Sequence, residues 1–268
     1  MRVSQLLNPK KTLLSDQRKA CEIVTAVLLE LKELTNPYVS LDMLDELAER
    51  RIIELGGIPY NKGYKPDWSP VPYSNTICCS VDFEICHAPP RGRTLRAGQI
   101  VKYDLGVRYK SGCGDAALTV AVGSVDNRKE RAMRYGLQAL YEGINVVKAG
   151  IQIGAIGEAI ERYVGPRGYR VIKEFGGHHI GREMHEAPLI QHYADYTGPF
   201  YRQILQEGAM ICIEPMITPG KGVFGGILND GWTAVTKDRQ PVVMFEHQLL
   251  VTATGYEILT KHIEQSKL

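Results

Sequence analysis

Four segments of the chain carry apolar residues at every third or fourth position, the spacing that predicts amphipathic helices. We place these helices at residues 15–34, from 40 to the glycine pair at 56–57, 127–148 and 153–163. Ser15 is a candidate N-cap of the first helix, because its hydroxyl can accept a backbone N–H of the first turn. The pattern therefore predicts one helix pair near the N-terminus and a second pair in the middle of the chain.

Short runs rich in β-branched and apolar residues predict strands between and after the helix pairs. Two short paired strands are expected at 76–81 and 84–87, and a hairpin at 100–109 and 113–122. Later strands are expected at 169–174, 210–218, 232–236, 242–252 and 256–259. This order of elements is typical of an α+β fold with a largely antiparallel sheet. No linker or low-complexity tract divides the chain, so we expect one catalytic domain over 1–268, with 1–14 as a short N-terminal extension.

A long loop rich in proline, glycine and aromatic residues, IPYNKGYKPDWSPVPYSN, occupies residues 58–75. A loop of this length is uncommon in a compact domain unless it has a function. It could form one wall of a binding pocket, or it could be a packed surface loop, and the sequence leaves both interpretations open.

Composition limits the classes of partner. The chain has 268 residues, of which 44% are hydrophobic and 23% charged, and its formal net charge is +2. This balance favours neither nucleic acid nor a membrane surface. The N-terminal segment is too polar for a signal peptide, and no apolar run approaches the roughly 20 residues of a membrane helix. We therefore expect a cytoplasmic protein. Its six cysteines fit free thiols, although the Cys78–Cys79 pair could also be a redox or metal site.

Four carboxylates interrupt otherwise apolar strands: Asp104, Asp115, Glu214 and Glu246. A buried, unpaired carboxylate costs on the order of several kcal/mol, so each needs a cation or a proton. Asp104 and Asp115 flank the hairpin turn and can share a face, where they would repel each other without a cation between them. The glycine-rich segment 176–188, predicted as a turn, adds His178 and His185.

Carboxylate and imidazole ligands suit Mn²⁺, Fe²⁺, Co²⁺ or Zn²⁺, and bridging carboxylates hold two ions about 3.5–4 Å apart in two-metal hydrolases. The alternative is that each acid is separately paired with a lysine or arginine. Motifs for zincins, nucleotide-binding loops and serine hydrolases are missing from the sequence.

These acids and histidines lie in order within the segments CHAPP, YDLGV, GCGD, GGHHIGREMHEAP, CIEPM, DGWTAVTKD and FEHQLLVT. With these flanks the chain resembles type I methionine aminopeptidase over about residues 15–259. The ordered ligand set is specific to the pita-bread metallopeptidase superfamily. Assignment to the methionine branch rests on the chain length, on Trp232 and on the short gap between His185 and Glu214.

The resemblance implies a pita-bread (creatinase/aminopeptidase) fold with pseudo-two-fold symmetry and two divalent ions between its halves. Cobalt, manganese, iron, zinc and nickel all remain open as the metal. By this resemblance Asp115 and Glu246 bridge both ions, Asp104 binds one ion, and His178 and Glu214 bind the other. A water activated by the metal attacks the first peptide bond, and Glu214 exchanges its proton with the leaving amine.

The resemblance also assigns substrate-binding roles. His87 and His185 match the two histidines of the family that are not ligands, and they would hydrogen-bond the scissile amide and stabilise the tetrahedral intermediate. Four residues fall at the positions of the pocket for the methionine side chain: Tyr73, Cys78, Met184 and Trp232.

Several positions depart from the family pattern. Gly106 stands where threonine is common, Ala116 follows the bridging aspartate in place of threonine, and Met184 replaces a frequent phenylalanine. His179 occupies a glycine position; it could be an extra ligand, but a surface position or one beside the ligands is favoured. The loop before Tyr73 is longer than usual. None of these changes removes a ligand.

Three functions are consistent with the sequence. The favoured one removes the N-terminal methionine from nascent polypeptides when the second residue is small. The alternatives are an X-Pro aminopeptidase or prolidase-like hydrolase with the same ligands, and a divergent binding module that has lost the chemistry. A monomer is expected. The ribosome is a candidate transient partner, but the basic pairs at 10–11 and 18–19 are too few to support that contact.

Overall fold

The computed structural model describes residues 11–261 of the chain. It contains the four predicted helices, and their bounds are Lys11–Leu34 (α1), Leu41–Glu54 (α2), Asn127–Ile144 (α3) and Gly154–Val164 (α4). Ser40 caps α2 by accepting the backbone N–H of Met43, and Asp126 caps α3 in the same way. No helix within residues 11–261 combines the length and the apolar character that a membrane span requires.

Two helix boundaries were predicted wrongly. Helix α1 already includes residues 11–14, so Ser15 lies inside the helix and is not its N-cap. Residues 1–10 of the expected N-terminal extension lie outside the described residues. Helix α3 ends at Ile144, four residues before the predicted end at Lys148. Apolar spacing locates a helix well but does not fix where its first and last turns lie.

The strands within the described chain are Ile58–Pro59 (β1), Cys78–Val81 (β2), Ile100–Tyr109 (β3), Gly112–Ala121 (β4), Arg170–Val171 (β5), Gly177–His179 (β6), Glu186–Ile190 (β7), Met210–Ile213 (β8), Met216–Thr218 (β9), Phe224–Ile227 (β10), Ala234–Thr236 (β11), Val243–Met244 (β12), His247–Val251 (β13) and Tyr256–Ile258 (β14). One sheet runs β1-β3-β2, with β4 also paired to β3. The largest sheet runs β14-β13-β8-β6-β7, and β12-β9-β5 and β10-β11 form smaller ones. The pairings are antiparallel, which confirms the predicted α+β class.

Several predicted strands are wrong in detail. Residues 84–87 form no strand, since only Glu84 makes an isolated bridge, to Val235. The predicted strands 210–218 and 242–252 are each interrupted, at Glu214–Pro215 and at Phe245–Glu246. Pro215 has no N–H to donate to a ladder, which accounts for the first break. The glycine-rich segment 176–188, expected as a turn, contains β6 and part of β7.

Helix α1 packs directly on the β3–β4 hairpin. One face of the hairpin carries Tyr103, Leu105 and Val107 into the main apolar core together with apolar residues of α1. Gly114 lets the two backbones meet, because a Cβ atom there would lie 2.6 Å from the backbone of Ala20 and Cys21. Since side chains alternate along a strand, the opposite face of the hairpin is free to carry polar groups.

We expect Gly114→Ala to lower the free energy of unfolding by about 2–3 kcal/mol, because neither backbone can move away from the added methyl group. Denaturation with urea measures the loss. Gly165→Ala is the matched control: a Cβ atom at that position would have no other atom within 4 Å, so a change within about 0.5 kcal/mol is expected. Equal effects of the two substitutions would contradict the close approach of α1 to β4.

Candidate active site

The hairpin face opposite α1 carries the first two acids. Asp104 on β3 pairs with Ala117, and Asp115 on β4 pairs with Gly106. This register places the two aspartates two residues apart along the ladder. They are therefore diagonal neighbours on one face of the sheet, as the hairpin pattern predicted.

The two glutamates lie in the breaks that interrupt the later strands. Glu214 follows β8 and precedes Pro215, and Glu246 lies between β12 and β13. The backbone N–H of Glu246 donates to the carbonyl of Ala117 at 2.9 Å. This bond fixes Glu246 against the strand that carries Asp115. Each glutamate leaves the regular ladder at the point where its side chain turns toward the aspartates.

His178 joins the two acid pairs. Its Nε2 lies 3.7 Å from Oδ2 of Asp115 and 3.6 Å from Oε1 of Glu214. Its Nδ1 lies 3.0 Å from the backbone carbonyl of His179, which requires the proton on Nδ1. The lone pair of Nε2 is then directed at the acids, the tautomer that a histidine uses as a metal ligand.

Burial sets the electrostatics of this cluster. It raises the pKa of Asp104 to about 7. It also raises the pKa of Asp115, Glu214 and Glu246 well above the ordinary values, with the neighbouring carboxylates adding to the effect. Burial lowers the pKa of His178 to about 3, so its ring is neutral near pH 7. Without a cation the fold therefore favours the protonated, neutral forms of these acids, and ionising them together is costly.

Lysine and arginine do not neutralise these acids. Across residues 11–261 none of the four forms an ion pair with a lysine or arginine side chain. This contradicts the alternative in which each acid is separately salt-bridged. Oε1 of Glu246 is buried and has no hydrogen-bond partner in the described part of the chain. Such an orphaned carboxylate oxygen fits a bound cation.

The donor atoms are close enough to surround an ion. Ligand atoms of Asp115, His178, Cys212 and Glu246 all lie within 4.8 Å of one another. Carboxylate and imidazole donors suit a divalent transition metal, so the residues present fit the metal that the resemblance implies.

Cys212 was treated in the sequence only as a free thiol, although the structure places its sulfur within this group of ligand atoms. The six cysteines are all free and buried, as predicted, and burial raises the pKa of the Cys212 thiol well above its ordinary value. Its position two residues before Glu214 was the one available signal, because a strand returns to the same face every second residue.

His192 is the other residue that sequence reasoning missed. Its Nε2 accepts the backbone N–H of Glu214 at 3.2 Å and that of Gly177 at 3.3 Å. Burial lowers its pKa to about 3, which keeps the ring neutral and able to accept. His192 thus links the backbone of Glu214 to that of Gly177, the residue before His178. No spacing in the sequence relates it to either residue.

All the residues predicted for the site line one cavity of about 470 Å³. They are Tyr73, Cys78, His87, Asp104, Asp115, His178, Met184, His185, Glu214, Trp232 and Glu246. The 58–75 loop contributes further residues to the lining, among them Asn61, Tyr64 and Trp68. Of the two interpretations of this loop, the pocket wall is therefore the one that the structure supports.

The two histidines outside the predicted ligand set flank the acids. The ring of His185 lies 4.5 Å from that of His178, and its Nδ1 lies 3.2 Å from the hydroxyl of Tyr64. His87 has a positive φ of 59°, a conformation uncommon outside glycine. Burial lowers the pKa of both histidines, that of His87 to about 4. Two neutral imidazoles can therefore exchange hydrogen bonds with a substrate.

An apolar pocket lies beside the acids. Tyr73, Cys78 and Trp232 form one buried cluster, with the Tyr73 and Trp232 rings edge to face at 4.9 Å. Their polar atoms are satisfied away from the pocket, since the Tyr73 hydroxyl donates to Ile77 and the indole N–H to Val71. Met184 lines the same cavity but packs in a different cluster, with Ile180 and Cys212 among others.

The structure explains the departures from the family pattern at Gly106 and Met184, and it corrects the expected position of His179. A Cβ atom on Gly106 would lie 2.3 Å from Cε of Met184, so this methionine needs the glycine opposite it. His179 is only 5% exposed and does not line the cavity, so of the two positions favoured for it the surface one is wrong. Its backbone carbonyl lies 3.0 Å from Nδ1 of His178, which places it beside a proposed ligand. The glycine and the methionine are thus one coupled change in the cavity wall.

Known proteins similar to this chain are metallopeptidases, which agrees with the cluster of possible metal ligands in the cavity. The model of metallopeptidase family M24 matches residues 15–253. The chain belongs to this family of metallopeptidases. The metallopeptidase is 35% identical over 244 residues to methionine aminopeptidase 1 of Bacillus subtilis, covering 91% of this chain and 94% of that protein.

Solved structures show the same fold. Methionine aminopeptidase of Thermotoga maritima superposes with a TM-score of 0.88 at 32% identity, covering 95% of this metallopeptidase and 98% of that chain. Prolidase of Pyrococcus furiosus superposes with a TM-score of 0.74 at 20% identity, and the match covers 97% of this metallopeptidase and 66% of the prolidase chain. The second match shows the pita-bread fold alone.

Replacing Glu246 with glutamine is expected to stabilise the metal-free protein, since it removes a charge that the fold buries without a cation. Because the folded state raises the pKa of Glu246, the native protein holds the proton more tightly than the unfolded chain does. The cost of the charge therefore grows as pH rises above the ordinary glutamate value. The gain in unfolding free energy should increase from about pH 5 to about pH 8 and reach about 1–3 kcal/mol.

Chemical denaturation in the presence of a chelator measures this gain, and the exposed Glu22→Gln is the control, with no expected change. Added manganese should raise the Tm of the wild type and have little effect on Glu246→Gln, because binding to the native state stabilises it. A metal-induced shift of equal size in both proteins would show that Glu246 is not a ligand.

The coupling of Gly106 and Met184 predicts that Gly106→Ala moves the methionine and leaves the fold intact. The clashing atom is the end of a flexible side chain, so a stability loss below about 1 kcal/mol is expected. Methyl NMR of ¹³C-labelled methionine should show a displaced Met184 signal, assigned by Met184→Leu. The exposed Met43 should keep its shift. An unmoved Met184 methyl signal would contradict the coupling.

Proposed function

We propose that this metallopeptidase is a metal-dependent aminopeptidase that removes the N-terminal methionine of polypeptides whose second residue is small. The observation that carries the proposal is the joint placement of a buried acid–histidine cluster and an apolar pocket in one cavity. The named activity of the Bacillus and Thermotoga relatives supports the same substrate.

The pocket suits an unbranched apolar side chain. Tyr73, Cys78 and Trp232 offer ring faces and a sulfur, which make favourable contacts with a thioether. A methionine side chain bound there brings the first peptide bond toward the acids and the two neutral histidines. His87 and His185 hydrogen-bond the scissile amide and the oxygen that gains charge in the transition state.

Two divalent ions are proposed in the cluster, held by Asp104, Asp115, His178, Glu214 and Glu246. When bound they supply Lewis acidity and lower the pKa of a water toward neutrality. Asp115 and Glu246 would be the ligands shared by the ions, as the family resemblance implies. Glu214 would take a proton from the attacking water and deliver it to the leaving amine.

The cellular setting is proposed from the same family. The substrates are nascent chains that still carry their initiator methionine, the protein acts as a monomer in the cytoplasm, and any contact with the ribosome is transient. Nucleic acid and membranes are not proposed as partners.

The test is mass spectrometry of peptides incubated with the metal-reconstituted protein. We expect methionine release from Met-Ala-Ser, much slower release from Met-Lys-Ser, none from Leu-Ala-Ser, and loss of activity with a chelator. Cleavage of Gly-Pro-Pro instead would identify an X-Pro peptidase. A folded protein inert toward all four peptides with every metal tried would favour the binding module.

A matched pair of variants tests the proposed proton carrier. Glu214→Gln keeps the shape of the side chain but cannot take up a proton, and it should lower kcat by a factor of about 100 or more. The exposed Glu22→Gln should retain the activity of the wild type. Activity of Glu214→Gln within a few-fold of the wild type would exclude the proposed proton transfer.

A further inference from the structure

Trp68 stands at the mouth of the active-site cavity, in the part of the 58–75 loop that departs from the family pattern. Its ring stacks on that of His87 at 5.8 Å with an interplanar angle of 24°, and it meets the ring of Trp232 edge to face at 5.0 Å. Half of the residue, 52%, is nevertheless exposed. A large apolar ring left open beside a proposed catalytic histidine is a candidate contact surface for substrate.

The loop holds Trp68 in this place through contacts on its C-terminal side. The hydroxyl of Ser69 donates to the carbonyls of Val71 and Gly231, at 2.8 and 3.2 Å. The indole N–H of Trp232 donates to Val71 at 3.1 Å. The ring of Pro70 lies against Gly231, where a Cβ atom would come within 3.1 Å of it. The tryptophan is therefore part of a built wall.

The geometry of an extended peptide relates this wall to a particular substrate residue. Successive side chains of an extended chain point in opposite directions, and those of residues one and three lie on the same side, about 6.6 Å apart. The first side chain occupies the pocket of Tyr73 and Trp232, whose rings are 4.9 Å apart. The ring of Trp68 lies 5.0 Å from that of Trp232, and both residues line the same cavity. The spacing of these rings is thus close enough to that of the first and third side chains for Trp68 to contact the third.

We propose that Trp68 binds the side chain of the third substrate residue and gives the enzyme a preference for an apolar or aromatic residue there. This inference rests on the proposed aminopeptidase function. Asp67 and Glu174 line the same cavity, so an acidic third residue is expected to be disfavoured. The indole face of Trp68 offers an apolar or aromatic third side chain a large contact area at little cost in conformational entropy.

The experiment compares kcat/KM for Met-Ala-Phe-Ser and Met-Ala-Gly-Ser, which differ only at the third residue. The wild type should prefer the phenylalanine peptide by about five- to tenfold. In Trp68→Ala the ratio of the two values should fall to near one, and in Trp68→Phe most of the preference should return. Tyr38→Ala is the matched control, an exposed aromatic residue that does not line the cavity, and it should keep the wild-type ratio.

Two results would overturn the assignment of Trp68. One is a wild type that cleaves both peptides equally well. The other is Trp68→Ala slowing both peptides by the same factor, which would mean that the ring acts only through His87 or the fold. If Trp68→Ala fails to fold, Trp68→Leu and Trp68→Phe supply the same comparison. Release of methionine from neither peptide by the wild type would refute the proposed function itself, and the inference with it.

Discussion

The burial of four carboxylates in one place is the constraint on which this structure depends. Asp104, Asp115, Glu214 and Glu246 lie together, and burial raises the pKa of each. Repulsion by neighbouring carboxylates adds to the rise for Asp115, Glu214 and Glu246. The fold supplies one neutral histidine and no lysine or arginine partner among its described residues. Such an arrangement must be neutralised by protons or by a cation from outside, and only a cation allows all four acids to stay ionised. Membership of a metallopeptidase family is consistent with a metal ion in this role.

The rest of the fold is arranged to hold these acids in place. Helix α1 covers one face of the β3–β4 hairpin so that the other face can carry the aspartates. The later strands break at the glutamates, and backbone hydrogen bonds then fix them. His192 accepts the N–H of Glu214, and Gln248 accepts that of Asp115 at 3.1 Å. The geometry of the proposed ligands thus depends on buried polar groups outside the proposed ligand set, which is common around metal sites.

Some of the departures from the family pattern lie in the cavity wall, namely Gly106, Met184 and the loop that carries Trp68, whereas Ala116 packs in the main core and His179 does not line the cavity. The glycine at position 106 leaves room for the side chain of Met184 in the cavity wall. The 58–75 loop contributes Trp68 to the lining of the same cavity. The proposed ligands are all retained. Such a difference is physically reasonable, because a metal site tolerates little displacement of its ligands, whereas an apolar pocket can be repacked at constant volume. The retained ligands and the altered cavity wall therefore indicate that this chain differs from its relatives in substrate preference more than in the reaction it catalyses.

The sequence by itself predicted the helices, the β3–β4 hairpin and the four acids that meet in the cavity, and the resemblance to a known family added His87 and the pocket residues. Apolar periodicity located the helices, and a carboxylate in an apolar strand is costly enough to mark its own site. The break after Glu214 follows from Pro215, whereas only the tertiary structure decided the break at Phe245–Glu246, the strand at His178, and the positions of Cys212 and His192. These depend on hydrogen bonds and packing between residues far apart in the chain, such as Glu246 with Ala117 and Glu214 with His192. Local periodicity contains no information about such contacts, because it reports only which face of an element is apolar.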